Sequence, residues 1–216
     1  MRRHRRWAVF GISILSLLLG ACQTMYYAAW EQVGKEKRHL LRENVEAAGR
    51  EQQQASEKFK DVLSQIQALY GFDGGELEKA YRRLKADYES CEARAQDVRD
   101  RIAKVEQIAE DLFNEWQGEI EQIGNPELKM KSRQSLADTQ RRYAQLEQAM
   151  RKAERRMDPV LQKMRDYVLF LKHNLNAQSV GALAQEVGRI ETEVDSLISD
   201  LNKSIEETNA FLEDFR

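Results

Sequence analysis

"LRENVEAAGREQQQASEKFKDVLSQIQAL" (Leu41–Leu69) sets the shape of this chain. Its apolar or small residues fall at Leu41, Val45, Ala48, Ala55, Phe59, Val62, Ile66 and Leu69, and Gln52 holds the one polar place in the series. The strides alternate 4 and 3 without a slip, the a/d seam of a helix that pairs with other helices. Trp30, Val33 and Leu40 extend the apolar pattern toward the N-terminus on a slightly shifted face, so the helix is expected to begin near residue 28.

Beyond this segment the same reading repeats. "YGFDGGE" (Tyr70–Glu76) breaks the helix, because three glycines and an Asp are poor interior residues. A second seam follows at Leu77, Tyr81, Leu84, Tyr88, Cys91, Ala95, Val98, Ile102, Val105, Ala109, Leu112 and Trp116. "IGNPE" (Ile123–Glu127) is a stop and restart, with Gly124 suited to a left-handed residue, Asn125 to an N-cap and Pro126 to the first turn. The third seam runs from Leu136 through Thr139, Tyr143, Leu146, Met150, Ala153, Met157, Val160, Met164 and Tyr167 to Leu171. It stays in phase across Asp158-Pro159, which favours one helix kinked at Pro159 over two helices.

"HNLNAQS" (His173–Ser179) ends the third helix and offers Ser179 as a cap. The last seam is Leu183, Val187, Ile190, Val194, Leu197, Leu201, Ser204, Thr208, Phe211 and Phe215, with Ile198, Ile205 and Leu212 widening the face. The expected architecture is all-α: an elongated, antiparallel four-helix coiled-coil bundle with helices at about 28–69, 76–122, 126–175 and 179–214. Short connections make consecutive helices antiparallel neighbours. The seam polars Gln52, Thr139, Ser204 and Thr208 are expected to specify register at some cost in stability.

Composition agrees with long helices. The 216 residues include 32% charged side chains, 8% aromatics, 11 Gly and only 2 Pro. Such a chain needs no thick core, because each helix buries a stripe along its length.

The first 21 residues read differently. "MRRHRR" is a basic segment, and "WAVFGISILSLLL" (Trp7–Leu19) is an apolar run of thirteen, short of the roughly 20 residues that span a bilayer. It fits a secretory signal. Leu19-Gly20-Ala21-Cys22 then resembles a bacterial lipobox, which implies cleavage before Cys22 and acyl chains on that residue. Two acyl chains suffice for stable anchoring where one does not. Gln23 stands where an Asp would, in enteric bacteria, imply inner-membrane retention, so the periplasmic face of the outer membrane is the expected address. Residues 1–21 are thus read as signal peptide, 22–27 as tether and 28–216 as one helical domain. Loss of the four leader arginines leaves 30 basic and 36 acidic residues, a net charge of −6. That balance argues against a nucleic-acid partner, which needs a clustered basic surface.

No catalytic constellation stands out. Cys91 occupies a seam place between Tyr88 and Ala95, where a small buried apolar residue is favoured over a reactive thiol. With Cys22 acylated, no intramolecular disulfide is available. His39 and His173 could approach each other in an up-down bundle, but neither has a ligand partner at metal spacing. "GFDGGE" lacks the strand and lysine of a phosphate loop. No cofactor, metal or small-molecule substrate is expected. Lys35, Lys37, Arg38 and Arg42 form a basic cluster thirteen or more residues beyond Cys22, able to contact anionic headgroups at about 1 kcal/mol each. Pairing with Glu36, Glu43 and Glu46 on a solvated face explains the cluster at least as well. Tyr70 and Phe72 are candidate partner contacts at the end of the rod distant from the tether, or else an end-cap of the core.

"YYAAWEQVGKEKRHLLRENVEAAGREQQQASEKF" (Tyr26–Phe59) and "LKHNLNAQSV" (Leu171–Val180) resemble a family of Gram-negative lipoproteins catalogued as a domain of unknown function. Gly34, Lys37 and Arg38 match its Gly-x-x-Lys-Arg segment, and "KHNLNAQ" matches its hinge. The resemblance implies envelope location and helical architecture and transfers no catalytic residue. The functional expectation is a non-enzymatic, lipid-anchored periplasmic coiled-coil protein whose partners are the membrane, through Cys22, and an unidentified envelope protein. The alternative is an accessory or regulatory subunit of an envelope enzyme or transporter.

Overall fold

A computed structural model describes residues 37–68, 77–174 and 177–215, the side chains of 177–187 excepted. It contains α1 (Lys37–Ala68), α2 (Leu77–Gln122), α3 (Pro126–His173) and α4 (Ala177–Asp214). At 1.5 Å per residue the 48-residue α3 is about 72 Å long. Each helix packs along its two neighbours in the cyclic order α1, α2, α3, α4, so α4 closes back on α1. All four neighbouring pairs are antiparallel.

The register is written in polar contacts. Between α1 and α2, Lys58 pairs with Asp87 at 2.8 Å, Glu51 with Arg94 at 3.9 Å, and Asn44 accepts from Arg101 at 3.1 Å. Each step back of seven residues on α1 is a step forward of seven on α2, one heptad per rung. Lys37 to Glu115 at 3.2 Å is a further α1–α2 contact beyond these rungs, a long reach that falls outside the one-heptad step. Between α2 and α3, Arg99 donates to Asp158 at 2.5 Å and Arg151 grips Glu106 with two nitrogens. Lys163–Glu193 and Arg142–Asp214 set α3 against α4, and Gln67–Glu191 sets α1 against α4.

Inside this frame the seams meet. Every seam residue from Leu41 to Ile66 is buried, as is every one from Leu136 to Leu171 and from Ile190 to Phe215. On α2, Tyr81, Tyr88 and Trp116 are partly buried and the remaining seam places are buried. The seam polars Gln52, Thr139, Ser204 and Thr208 are buried too. Thr139 and Thr208 donate back to the carbonyls of Ser135 and Ser204 one turn earlier. Gln52, Ser56 and Ser204 have buried polar atoms with no partner. These residues make the α1–α4 seam the polar side of the core. It is also tight: a Cβ on Gly49 would lie 3.1 Å from the Thr208 methyl. At one end of the four-helix section the core finishes in an aromatic layer. Phe113 meets Tyr143 edge-on at 5.5 Å, Tyr143 meets Phe211 at 6.1 Å, and Phe211 stacks on Phe215 at 4.9 Å.

Several details differ from expectation. The region 28–36 expected at the start of the first helix lies outside the described residues, as does Leu69. α3 ends at His173 rather than 175, because Asn174 stops it: its backbone N–H donates to Leu171 O and its side-chain amide to Phe170 O. α4 begins at Ala177, which places Ser179 within the helix instead of at its cap. Gly124 is not left-handed. The turn is closed instead by Ile123 N–H donating to Ile120 O, and Asn125 caps α3 by accepting from the N–H groups of Glu127 and Leu128. α3 runs unbroken through Pro159.

Candidate functional site

The sequence-derived candidates do not converge on one place. Cys22, Lys35, Tyr70 and Phe72 lie outside the described residues. Of the basic cluster, Lys37 pairs with Glu115 on α2. Arg38 sits over the Phe215 ring at 4.9 Å, so its guanidinium covers the aromatic end of the core as a cation–π contact. Arg42 donates to Glu46 one turn on, as the solvated-face reading expects. These contacts order the start of α1 against both α2 and α4.

His39 and His173 do not meet. α1 and α3 are both antiparallel to α2 and therefore run the same way, so the start of one and the end of the other lie at opposite ends. They are separated by about 40 Å of helix. The expectation that the topology could join them is thus corrected. Among the described residues no group of three or more His, Cys, Asp or Glu side chains could hold a metal ion.

Cys91 is fully buried, and burial is the main cause that pushes its thiol up to about 12. The nearby charges of Asp87 and Asp61 add to the shift and Lys58 opposes it. Such a thiol is neutral at physiological pH and packs as an apolar group. Tyr143 is pushed upward by burial in the same way, its hydroxyl unpartnered. Asp200 behaves differently. Burial alone would raise its carboxyl, but hydrogen bonds from Lys152 at 2.6 Å and Arg156 at 3.2 Å outweigh that and hold it below the usual range. The groove beside it, lined by Gln145, Gln148, Ala149, Lys203 and Glu207 along with Lys152 and Asp200, is an open polar crease between α3 and α4. The Lys152–Asp200 pair along it joins α3 to α4.

Exposure, which the seams did not reveal, marks the two ends of the rod. Among the described residues the large apolar side chains left in solvent are Leu128 (57% exposed), Met130 (65%), Leu169 (49%) and Phe170 (37%). Leu128 and Met130 are in the first turns of α3, at the α2–α3 hairpin. Leu169 and Phe170 are in its last turn, at the opposite end. All four are off the heptad series, which is the signal that could have found them: continuing the seam back from Leu136 gives Ser132 and Lys129, both half-buried. Ser132 accepts a hydrogen bond from the Trp116 indole at 3.0 Å, and Lys129 pairs with Glu121 at 3.0 Å.

The fold defines an all-α protein, an up-down four-helix bundle braced by interhelical charge pairs. The chain belongs to the family described as "Protein of unknown function (DUF2959)", which it matches over residues 26–215. No curated protein and no solved structure matches it. No helix among the described residues is long and apolar enough to cross a membrane.

Proposed function

We propose that this chain is a lipid-anchored, non-enzymatic protein of the Gram-negative envelope, a helical rod held at the periplasmic face of the outer membrane by acyl chains on Cys22. The observation that carries this reading is the order of the N-terminal features: a basic segment, a thirteen-residue apolar run, then Leu19-Gly20-Ala21-Cys22. Supporting it, the charged side chains at the helix interfaces are engaged in setting register, as a scaffold requires. Density-gradient separation of the two membranes tests it. The wild-type chain is expected with the outer membrane, and Cys22→Ser is expected to leave that fraction. Identical fractionation of the two would contradict the proposal.

A second reading, an accessory or regulatory subunit of an envelope enzyme or transporter, is favoured by Leu169 and Phe170. Their exposure lies at the end carrying the 69–76 connection, where Tyr70 and Phe72 are candidate contacts. Deleting Gly71 to Gly75, or changing Phe170→Ser, should abolish a crosslinked partner in cells without altering the helical spectrum. Unchanged crosslinking would count against a partner at this end.

A further inference from the structure

We propose that the α2–α3 hairpin enters the headgroup and acyl boundary of the same bilayer end-on, as a second membrane contact beside the lipid. The inference rests on the tethered reading above and gives the rod an orientation, upright on the membrane.

Position comes first. Lys37 is held at Glu115, seven residues or about 10 Å from the last residue of α2. The start of α1 and the hairpin therefore occupy the same end. Fifteen residues separate Cys22 from Lys37, a reach of about 22 Å even at helical rise and more if extended. Acyl chains on Cys22 and the hairpin can thus meet one surface.

The second argument is which side chains are exposed. Leu128 and Met130 are two residues apart, about 200° around α3, so no single helix face presents both. A partner lying along the bundle could cover one of them. A surface met by the tip covers both, since all of Pro126 to Lys131 lies within about 9 Å of the helix start. Ile123, half-buried in the turn, adds to the same apolar tip.

The polar groups at the tip are suited to an interface. Asn125 satisfies the N–H groups of Glu127 and Leu128 through its side chain, and its carbonyl accepts from Lys129 N–H, so entry strands none of these donors. Glu121 is matched by Lys129 and Arg133, each at 3.0 Å. Lys131, exposed beside Met130, can reach a headgroup phosphate by extending its stem. The tip carries three acids in Glu119, Glu121 and Glu127 against three bases, so apolar entry and not net charge is the driving term.

The test uses the full acylated protein on vesicles of phosphatidylethanolamine and phosphatidylglycerol. An environment-sensitive fluorophore is placed at Leu128→Cys, Met130→Cys, Phe170→Cys or Ser199→Cys, one at a time, with buried Cys91 left unlabelled. The expected result is blue-shifted emission at 128 and 130, with loss of most of it to a lipid-borne quencher, and neither effect at 170 or at mid-rod 199. If the protein floats with the vesicles while 128 and 130 behave like 199, the hairpin contact is wrong and the tether stands. A blue shift at 128 and 130 that grows with protein concentration and resists the lipid quencher would assign the tip to a second copy, which also overturns the proposal. A chain that fails to float overturns both the contact and the tether.

Discussion

The middle of the rod and its hairpin end treat apolar side chains in opposite ways. Through the middle of the four-helix section the large seam residues are packed between helices: Ile102, Leu146, Met150 and Leu197 are wholly buried. At the hairpin, beyond the aromatic layer of Phe113, Tyr143, Phe211 and Phe215, Leu128 and Met130 stand more than half exposed. Packing within the chain explains the first group and leaves the second unexplained. The hairpin's apolar residues belong to a surface outside the chain.

The largest expected effect breaks the comparison most simply. Ile102→Ala should cost about 3–4 kcal/mol, the transfer term plus the cavity left in a packed interior. Leu128→Ala should cost less than about 0.5 kcal/mol, as a substitution at an exposed site does. Thermal unfolding followed by circular dichroism checks both, and equal losses would mean that the hairpin is packed after all.

Gln52→Leu sharpens the account of the middle. The amide is buried with both polar atoms unpartnered, so an apolar replacement of similar size should raise stability by about 1–2 kcal/mol in urea unfolding. A loss of stability would show that the amide is satisfied in solution, for instance by a buried water.

Asp200 gives a smaller, pH-dependent effect. Its carboxyl is held below its ordinary range in the folded chain, so its contribution is present at neutral pH and lost as pH falls through the folded value. Asp200→Asn should therefore cost about 1 kcal/mol or less at pH 7, since Lys152 and Arg156 are largely in solvent. The gap between variant and wild type should close as pH falls below the ordinary carboxylate range. A gap that stays constant would remove the ion pairs from the explanation.

The smallest effect concerns Cys91. In the acylated protein a polar thiol reagent at pH 8 should label it only as fast as the chain unfolds, because the thiol is buried and raised to about 12. Prompt labelling would place it at the surface and weaken the uniform packing assigned to the middle.

The heptad strides made four helices and their buried residues legible, because helix pairing repeats every seven residues and leaves its mark in a single chain. The ladder of Lys58, Glu51 and Asn44 against Asp87, Arg94 and Arg101 is also periodic, yet it becomes visible only once α1 and α2 are aligned. Turn details were less legible. Gly124 has the residue type of a left-handed position, but a bond from Ile123 to Ile120 closes the helix without one. The two histidines were misplaced even though the short connections give the helix directions: the first and third helices run the same way, which puts the start of one and the end of the other at opposite ends. Leu128, Met130, Leu169 and Phe170 escaped because a seam search discards residues that are out of phase.

The central claim is that this bundle is tied by lipid at its hairpin end, and intact-mass analysis of the protein recovered from membranes tests it most directly. The account predicts a chain that begins at Cys22 and carries the added mass of a diacylglycerol, with or without a further acyl group on its amine. A chain that begins at Met1 or at any other residue, or that begins at Cys22 without lipid, would contradict it.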